Sequence, residues 1–346
     1  MNYLRSDEAF LLEAGGSLPG ITIAYHTYGR PNADGSNVVW VCHALTANSD
    51  VARWWPGVVG QKGAVGPDDY FIVCANIVGS CYGSTGPVGA GPGVGEHGIG
   101  GGEQQPLYSE FPMITIRDMV RAHVLLRKHL GIGKIHLLMG GSMGGYQALE
   151  WAVLEPEVIG RLFLVATSPT ESAWGIAVHT AQRLAIEADS SWREASPAAG
   201  QKGLKAARAI GILTYRNYEI MVRKQTDPDT EKIDGYRASS YIDYQGDKLV
   251  ERFNAYCYWI LTKAMDSHNI SRGRGGDVEA VLRGIRLKTL IIGITSDILC
   301  PFEEQRHMAA HLPDVRLIEI DSAYGHDGFM VEGEKIASHL RDWLEE

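Results

Sequence analysis

Five residues near the middle of the chain, Gly140-Gly141-Ser142-Met143-Gly144, have the types and spacing of a turn that presents a nucleophilic serine. An apolar run ends just before them and a helical pattern begins just after them, so the serine falls where a strand turns into a helix. So tight a turn has no room for a side chain two positions before or after the serine, which explains the flanking glycines. Glycine-rich turns of this kind also bind phosphate or allow close packing, so the five residues alone leave both interpretations open.

A serine hydroxyl is a poor nucleophile near neutral pH and needs a base, which in turn needs an acid to orient it. In hydrolases of the α/β class that carry this turn, the three residues occur in the order serine, aspartate or glutamate, histidine. Asp297 follows an apolar run late in the chain, and His326 lies in a loop after the next such run. We therefore predict that Ser142, Asp297 and His326 form a catalytic triad.

Each candidate also has a simpler interpretation. Asp297 is placed to cap a helix that begins near Pro301, and the histidine on its own is an ordinary loop residue. Asp321 is a rival for the orienting acid, although it ends the strand that leads into the histidine loop itself. The adjacent Cys42 and His43 suggest a thiol nucleophile with its base, but neighbouring residues on a strand point to opposite faces.

Acyl transfer also needs hydrogen-bond donors for the negative charge that develops on the carbonyl oxygen. One donor is the backbone N–H of the residue after the nucleophile, which here is Met143. The second should come from the loop after the strand at residues 38–42, where residues 43–46 lie. Losing one such donor typically raises the barrier by about 2.7–4 kcal/mol.

Short, near-continuous apolar runs recur along the chain and predict strands buried on both faces. These runs cover residues 37–45, 70–77, 134–139, 161–166, 287–294 and 315–320. Helical patterns lie between them, at residues 116–130, 145–154 and 301–311. The alternation predicts an α/β fold with a mostly parallel, doubly wound sheet, and the alternating residues 9–28 predict an antiparallel hairpin before it.

One long segment interrupts the alternation. No buried-strand run occurs in residues 171–286, which instead show helical stretches at 174–189, 203–215 and 247–267. We interpret the segment as a helical cap inserted into a core formed by residues 1–170 and 287–346. Residues 88–110 contain eight glycines and little periodicity, which favours a mobile surface flap without assigned chemistry.

The composition limits the partners and the compartment. The chain has 346 residues, a net charge of −9 and a pI near 5.8, which argues against nucleic acid or an anionic membrane surface as partner. Five cysteines without a C-x-x-C pair suggest reduced thiols in a cytoplasmic protein. There is no signal-peptide pattern at the acidic N-terminus and no apolar run long enough for a membrane span.

Several motifs in a fixed order resemble those of homoserine O-acetyltransferases of the α/β-hydrolase fold. The resemblance covers nearly the whole chain and is far more specific than the serine turn alone. The motifs lie at residues 42–49, 75–87, 111–120, 140–145, 172–177 with 182–183, 271–276, 296–301 and 325–329. We interpret the two arginines of the segment 271–276 as a structural return from cap to sheet rather than an RNA contact.

The resemblance implies roles for further residues. The same triad is implied, with the backbone N–H groups of Leu45 and Met143 as the oxyanion donors. An arginine of the cap, here Arg208, is implied to hold the carboxylate of the amino-acid substrate, with Arg216 as a nearby competitor. The acid after the catalytic histidine, Asp327, is implied to contact the substrate ammonium, which suits a zwitterion that needs one cation and one anion. Without the resemblance, Arg208 is interpreted as a surface charge on a cap helix, and Asp327 as a turn residue before Gly328.

The activity implied by the resemblance is transfer of an acetyl group from acetyl-CoA to the hydroxyl of L-homoserine by ping-pong kinetics, giving O-acetyl-L-homoserine for methionine biosynthesis. Acetyl-CoA is then a co-substrate, and no metal or bound cofactor is expected. A homodimer formed through the cap is implied as well.

The chain also departs from the family pattern. Residues 88–110 are longer and richer in glycine, the cap is shortened around residues 192–201, and His179 stands where an asparagine is expected. Because the cap shapes the substrate pocket, succinyl-CoA as donor and serine as acceptor stay open. A serine esterase of the same fold and a non-catalytic binding module are further alternatives.

Overall fold

The computed structural model describes residues 1–92 and 105–346, and its centre is an eight-stranded sheet. The strands of the sheet are β1 (Asn2–Ser6), β4 (Ile21–Tyr28), β5 (Val38–Cys42), β6 (Phe71–Ala75), β7 (Ile135–Gly141), β8 (Ile159–Val165), β9 (Lys288–Ile294) and β10 (Val315–Ile320). Their order across the sheet is β1-β4-β6-β5-β7-β8-β9-β10. β1 and β6 each pair antiparallel with β4, and all other neighbours pair parallel, which confirms the predicted mostly parallel α/β sheet.

The central strands are apolar because helices cover both faces of the sheet. Every residue of β5 is buried. Its alternate side chains enter different hydrophobic clusters: Val39 and Val41 pack on one side of the sheet, and Val38, Trp40 and Cys42 pack on the other. Two-sided burial removes the alternation of polar residues, which is why continuous apolar runs predict these strands.

The start of the chain differs from the predicted hairpin. Two short strands, β2 (Phe10–Leu11) and β3 (Ser17–Leu18), do pair antiparallel as a separate two-stranded sheet. The strand β4, however, pairs with β1 at the N-terminus, a strand that was not predicted. A five-residue strand with one buried side chain carries too little apolar pattern to be recognised from sequence.

Three of the helices that pack on the core, α2 (Ile116–His129), α3 (Met143–Leu154) and α10 (Phe302–His311), lie close to their predicted positions. Thr115 caps α2 with a capping box, in which its hydroxyl accepts from the backbone of Asp118 while the Asp118 carboxylate accepts from the backbone of Thr115. The helices outside the insertion are α1 (Val51–Trp54), α2 (Ile116–His129), α3 (Met143–Leu154), α10 (Phe302–His311), α11 (Gly328–Val331) and α12 (Gly333–Leu344).

Between β8 and β9 the chain forms helices and no strand of the main sheet. They are α4 (Ala173–Glu187), α5 (Gln201–Tyr215), α6 (Tyr218–Gln225), α7 (Arg237–Val250), α8 (Ala255–Asp266) and α9 (Val278–Gly284). The prediction of one continuous helix over residues 247–267 is wrong, because α7 ends at Val250 and α8 begins at Ala255. Asn254 then caps a new helix by accepting hydrogen bonds from Tyr256 and Cys257.

A short antiparallel neck marks the base of this insertion. The backbone N–H of Glu171 donates to His268 O, and the N–H of Ile270 donates to Pro169 O. On the return side, the neck lies at residues 268–270, well before residue 286, where the sequence placed the end of the cap. The division of the chain into domains stays a prediction.

The two arginines after the neck bind to the core. Arg272 pairs with Glu13 at 2.8 Å between Nη2 and Oε2, and both terminal nitrogens of Arg274 donate to the buried carboxylate of Glu150. Arg117 lies between the two acids and pairs with each at 2.6 Å. The contacts agree with a structural role for the segment 271–276.

The predicted surface flap at residues 88–110 falls partly outside the described residues, which omit 93–104. Its first residues differ from the prediction, because Val88 and Ala90 are fully buried.

All five cysteines are buried free thiols. Among the described residues, none of the helices is long and apolar enough to cross a membrane.

Candidate active site

Ser142 lies in the turn between β7 and α3, in a backbone conformation that few residues other than glycine adopt. Its φ is 53° and its ψ is −128°. Two contacts hold the turn: the backbone N–H of Ser142 donates to Val165 O, and the Thr167 hydroxyl donates to Ser142 O. Such strain persists only where the surroundings impose it, and it is common at functional sites.

The neighbouring glycines make this turn sterically feasible. A side chain at Gly140 would collide with the backbone of Gly144 across the turn, as the sequence predicted. A side chain at Gly144 would instead meet Cys42 O at the end of β5, and one at Gly145 would meet Thr167. The glycines therefore serve close packing against neighbouring strands as well as the turn itself.

The structure brings the three predicted triad residues into one hydrogen-bonded chain. His326 Nε2 is 2.8 Å from Ser142 Oγ, and His326 Nδ1 is 2.7 Å from Asp297 Oδ2. All three side chains are buried. In this arrangement Nδ1 carries the ring hydrogen and donates it to the carboxylate, which leaves the Nε2 lone pair facing the serine hydroxyl.

The loop after β9 fixes the second oxygen of the acid. Asp297 Oδ1 accepts from the backbone N–H groups of Leu299 and Cys300, at 2.8 and 2.9 Å. The aspartate therefore orders its own turn and orients the histidine, rather than capping α10, which has no side-chain cap bond. The rival Asp321 is exposed, and its carboxylate accepts from the Thr295 hydroxyl instead.

The charge of the aspartate determines the basicity of the histidine. Burial by itself lowers the pKa of His326, but the negative charge of Asp297 and their hydrogen bond outweigh it, so the pKa is raised above the ordinary 6.5. A raised pKa makes Nε2 a stronger base toward the serine hydroxyl.

The adjacent Cys42 and His43 form no second nucleophile. Burial raises the pKa of the Cys42 thiol and lowers the pKa of His43 to about 4. His43 Nδ1 contacts Ala44 O at 2.9 Å, and its Nε2 accepts from the backbone N–H of Ile77. The imidazole thus holds together two loops at the carboxyl ends of β5 and β6.

The two predicted oxyanion donors belong to different segments that both lie next to the cavity or the serine. Met143 is the first residue of α3, where backbone N–H groups have no acceptor within the helix. Leu45 follows β5 and lines a cavity of about 630 Å³ that also contains Ser142 and His326. A volume of this size suits a small-molecule site at the carboxyl edge of a parallel sheet.

Arg208 and Asp327 line the same cavity. The guanidinium carbon of Arg208 lies 5.4 Å from the centre of the Tyr215 ring, and Arg208 Nε is buried without a hydrogen-bond partner. Within the part of the chain that the structure describes, no carboxylate pairs with Arg208. A cation held in a cavity without a counter-ion is available for an anionic group of a substrate.

Asp327 has a partner that the sequence did not indicate. Its Oδ2 lies 2.8 Å from Arg216 Nε, although this N–H is not directed at the oxygen. Burial raises the pKa of Asp327, while the charges of Arg216 and Arg208 oppose the increase. The two arginines that compete in the sequence therefore differ in their contacts, since Arg208 lines the cavity and Arg216 pairs with the acid.

Two further residues of the cavity wall make contacts that were not predicted. Arg252, in the break between α7 and α8, donates from Nη1 to Thr46 O at 2.5 Å and to the Tyr82 hydroxyl at 3.0 Å. His179 lines the cavity and lies 2.9 Å from Asp266 through Nδ1. All three contacts join residues that are far apart in sequence, so no local pattern could have indicated them.

Comparisons with known proteins indicate the fold and the family of the chain. The family model described as the alpha/beta hydrolase fold matches residues 37–333. Homoserine O-acetyltransferase from Cyclobacterium marinum is 46% identical over 336 residues, covering 97% of this chain and 93% of that protein. The enzyme of the same name from Chlorobaculum tepidum is 44% identical, with 97% and 92% covered.

Solved structures extend the likeness in fold. Homoserine O-acetyltransferase from Bacillus anthracis has a TM-score of 0.87 at 23% identity and covers the whole of this chain and 98% of that one. Esterase E22 has a TM-score of 0.85 at 20% identity, with 99% of each chain covered. At these identities the structures show the fold, whereas the sequence relatives show the family: the chain belongs to the homoserine O-acetyltransferases of the alpha/beta hydrolase fold.

Proposed function

We propose that this chain transfers an acetyl group from acetyl-CoA to the hydroxyl of L-homoserine, giving O-acetyl-L-homoserine for methionine biosynthesis. The observation that carries the proposal is the hydrogen-bonded chain from Asp297 through His326 to Ser142, beside a cavity that contains the unpaired cation of Arg208. The names of relatives above 40% identity supply the acceptor, homoserine, and the acetyl group, and acetyl-CoA as the donor is our proposal.

The first half-reaction forms an acetyl-enzyme. His326 Nε2 takes the proton of the serine hydroxyl while Ser142 Oγ attacks the thioester carbonyl. The negative oxygen of the tetrahedral intermediate accepts hydrogen bonds from the backbone N–H groups of Leu45 and Met143. The carbon–sulfur bond then breaks, and the CoA thiolate leaves with the proton from His326.

The second half-reaction reverses these steps with the acceptor. The homoserine hydroxyl gives its proton to His326 and attacks the acyl carbon. The bond to Ser142 Oγ breaks, and the serine regains a proton from the histidine. Arg208 binds the homoserine carboxylate and Asp327 binds the ammonium, which holds the hydroxyl at the acyl-enzyme. A cap over the cavity limits hydrolysis by keeping water away.

Cations at the cavity suit the phosphates of acyl-CoA. Arg53 and Lys248 are exposed and line the cavity, in a chain whose net charge is −9. A local positive field on an acidic protein favours an anionic ligand there. We propose that CoA enters as a co-substrate and that the reaction uses no metal or bound cofactor.

The test is an intact-mass measurement after incubation with acetyl-CoA alone. We expect a gain of one acetyl group that maps to Ser142 and is absent from Ser142→Ala. Adding homoserine should discharge the acetyl-enzyme and yield O-acetylhomoserine. CoA release that continues undiminished in Ser142→Ala would contradict the proposal.

A serine esterase is the second candidate, because esterase E22 shares the fold. The same acetyl-enzyme distinguishes the two, since an esterase loses its acyl group to water at a rate that homoserine does not change. Offering mixed acyl-CoAs with homoserine and serine, and identifying the products by mass, tests succinyl transfer and serine as acceptor.

We also propose a homodimer formed through the cap. Large apolar side chains are exposed there, among them Leu213 (62%), Tyr218 (83%) and Ile233 (91%). Light scattering at increasing chain concentration should give twice the mass of one chain. A monomer at every concentration would exclude the dimer without affecting the proposed activity.

A further inference from the structure

Two histidines on α10 share one face of the helix. His307 and His311 are four residues apart, and their ring centres are 4.7 Å from each other. Two histidines with this spacing on a helix offer ligand nitrogens to a single metal ion, as in zinc sites built on one helix.

A carboxylate from the preceding helix completes the cluster. Glu279 of α9 lies beside them, with its Oε2 3.2 Å from His311 Nε2. One ligand atom from each of the three residues lies within 4.8 Å of the others. Around a tetrahedral zinc ion, ligand atoms lie roughly 3.3 Å apart. All three side chains are at least partly exposed, so small rotations reach that geometry.

The contacts of His311 orient one ring nitrogen toward the cluster. His311 Nδ1 is 2.8 Å from His307 O, and because a carbonyl only accepts, Nδ1 carries the hydrogen of this contact. The other ring nitrogen, Nε2, lies on the side of the Glu279 carboxylate, so the two groups present ligand atoms to the same space. A hydrogen bond from the other ring nitrogen to a backbone carbonyl is also the usual support for a metal-bound histidine.

We propose that Glu279, His307 and His311 form a binding site for a divalent transition-metal ion such as Zn²⁺ or Ni²⁺. Two imidazoles and a carboxylate suit these ions, and solvent supplies the remaining ligand. Arg283 competes for Glu279 through a contact of 3.4 Å, but both side chains are about half exposed. Exposed ion pairs of this kind contribute only about 0–1 kcal/mol.

The residue after His307 indicates a structural role for the ion. Metalloproteases with two histidines at this spacing carry a glutamate directly after the first, as general base. Here that position is Met308, which is fully buried. A bound ion would instead join α9, which leads into β9, to α10, which follows the loop of Asp297.

Calorimetric titration of the untagged full-length chain with ZnCl₂ and with NiCl₂, near neutral pH, tests the site. We expect one ion per chain, and binding at least about 10–100-fold weaker in His307→Ala, His311→Ala and Glu279→Gln. The matched control is His129→Ala, an exposed histidine at the end of α2 outside the cluster, which should bind like the parent chain.

A second readout separates this site from the triad, since Asp297, Cys300 and His326 also lie within 4.8 Å of one another. An ion between α9 and α10 should leave acyl transfer active. Inhibition that follows the binding curve and persists in His307→Ala would place the ion at the triad and overturn the proposal. Equal affinities for the parent chain and His307→Ala would overturn it as well.

Discussion

Arg216 Nε lies 2.8 Å from Asp327 Oδ2, and this ion pair joins the end of α5 to the turn that carries His326. The two segments also touch through their backbones, because a side chain at Gly325 would lie 2.8 Å from Tyr215 O. The cap therefore contacts the turn that carries His326 through a close backbone approach and through an ion pair. A change in this part of the cap should alter the position of His326 and the charge of its neighbour.

The first prediction concerns the ionisation of Asp327. Burial raises the pKa of its carboxyl, and Arg216 is the largest influence that opposes the increase. In Arg216→Gln the pKa should rise further, so the carboxyl stays protonated to a higher pH than in the parent enzyme and binds the homoserine ammonium poorly over that interval. We expect the KM for homoserine to begin its rise on acidification at a higher pH in this variant than in the parent enzyme. Steady-state kinetics as a function of pH measure the shift, and coincident pH profiles of the two enzymes would contradict the prediction.

The second prediction concerns Arg208. Arg208→Gln removes the unpaired cation of the cavity and should raise the KM for homoserine about 10–100-fold, since a hydrogen bond to a charged group contributes about 1.5–3 kcal/mol. Formation of the acetyl-enzyme should be nearly unchanged, because acetyl-CoA carries no amino-acid carboxylate. Single-turnover mass measurements separate the two steps.

The control for Arg208 is Arg223→Gln, an exposed arginine on α6 of the cap outside the cavity. It should leave both half-reactions unchanged. If Arg208→Gln slowed acetyl-enzyme formation as much as acyl transfer to homoserine, the assignment of Arg208 to the acceptor would be wrong.

The residues that could be predicted from sequence belong to local patterns. Ser142 is recognised by glycines two positions away, and Asp297 by the strand that precedes it. The same holds for β5 and β7, whose continuous apolar runs follow from burial on both faces. The apolar run at residues 37–45 is nevertheless longer than the strand, which ends at Cys42. The apolar residues at the end of the run, Ala44 and Leu45, belong to the following loop and line the cavity.

The contacts that could not be predicted join distant parts of the chain. Arg252 and Thr46 are 206 residues apart. The local sequence identifies Arg252 only as a charged residue and Thr46 only as a loop residue, and neither pattern indicates a contact between them. The break between α7 and α8 went unrecognised because the apolar pattern continues through it. Asn254 ahead of an apolar run was the available signal.

The third prediction follows from Arg252, which positions the loop that contains Leu45. Its guanidinium donates to the carbonyl and the hydroxyl of Thr46, next to the predicted oxyanion donor. Arg252→Gln should lower kcat about 10-fold or more, because one or more charged hydrogen bonds are lost. The control Lys248→Gln, which changes another cation that lines the cavity, should raise the KM for acetyl-CoA and leave kcat unchanged. A pure KM effect in Arg252→Gln would show that it binds CoA rather than positions the loop.

The fourth prediction concerns the pH dependence of the first half-reaction. His326 must be neutral to accept the serine proton, and its pKa is raised above 6.5 chiefly by the negative charge of Asp297 acting against burial. The acidic limb of kcat/KM for acetyl-CoA should therefore lie above pH 6.5. In Asp297→Asn the limb should move to lower pH, while kcat falls by about 10⁴. An unchanged limb would mean that another group controls the profile.

The last prediction concerns stability and the half-buried Glu304 on α10. Burial and the nearby charges of Glu171 and Asp297 raise its pKa from 4.5 to about 7. Below pH 4.5 the folded and unfolded chains both hold this proton, so the group contributes nothing to pH dependence. As pH rises from 4.5 to about 7, the unfolded chain loses the proton first, and the free energy of unfolding decreases.

Glu304→Gln should therefore be more stable than the parent chain at pH 8, by about 1–2 kcal/mol after allowance for solvent screening, and similar to it near pH 4.5. Chemical denaturation at both pH values measures the difference. The control is Glu303→Gln, whose side chain is 75% exposed and which lies one residue earlier in the same helix. It should change the free energy of unfolding little at either pH, because its only ion pair, with Arg306 at 3.4 Å, is on the surface in the described part of the chain. A Glu304→Gln variant that is less stable than the parent at pH 8 would show that the ionised carboxylate stabilises the folded enzyme.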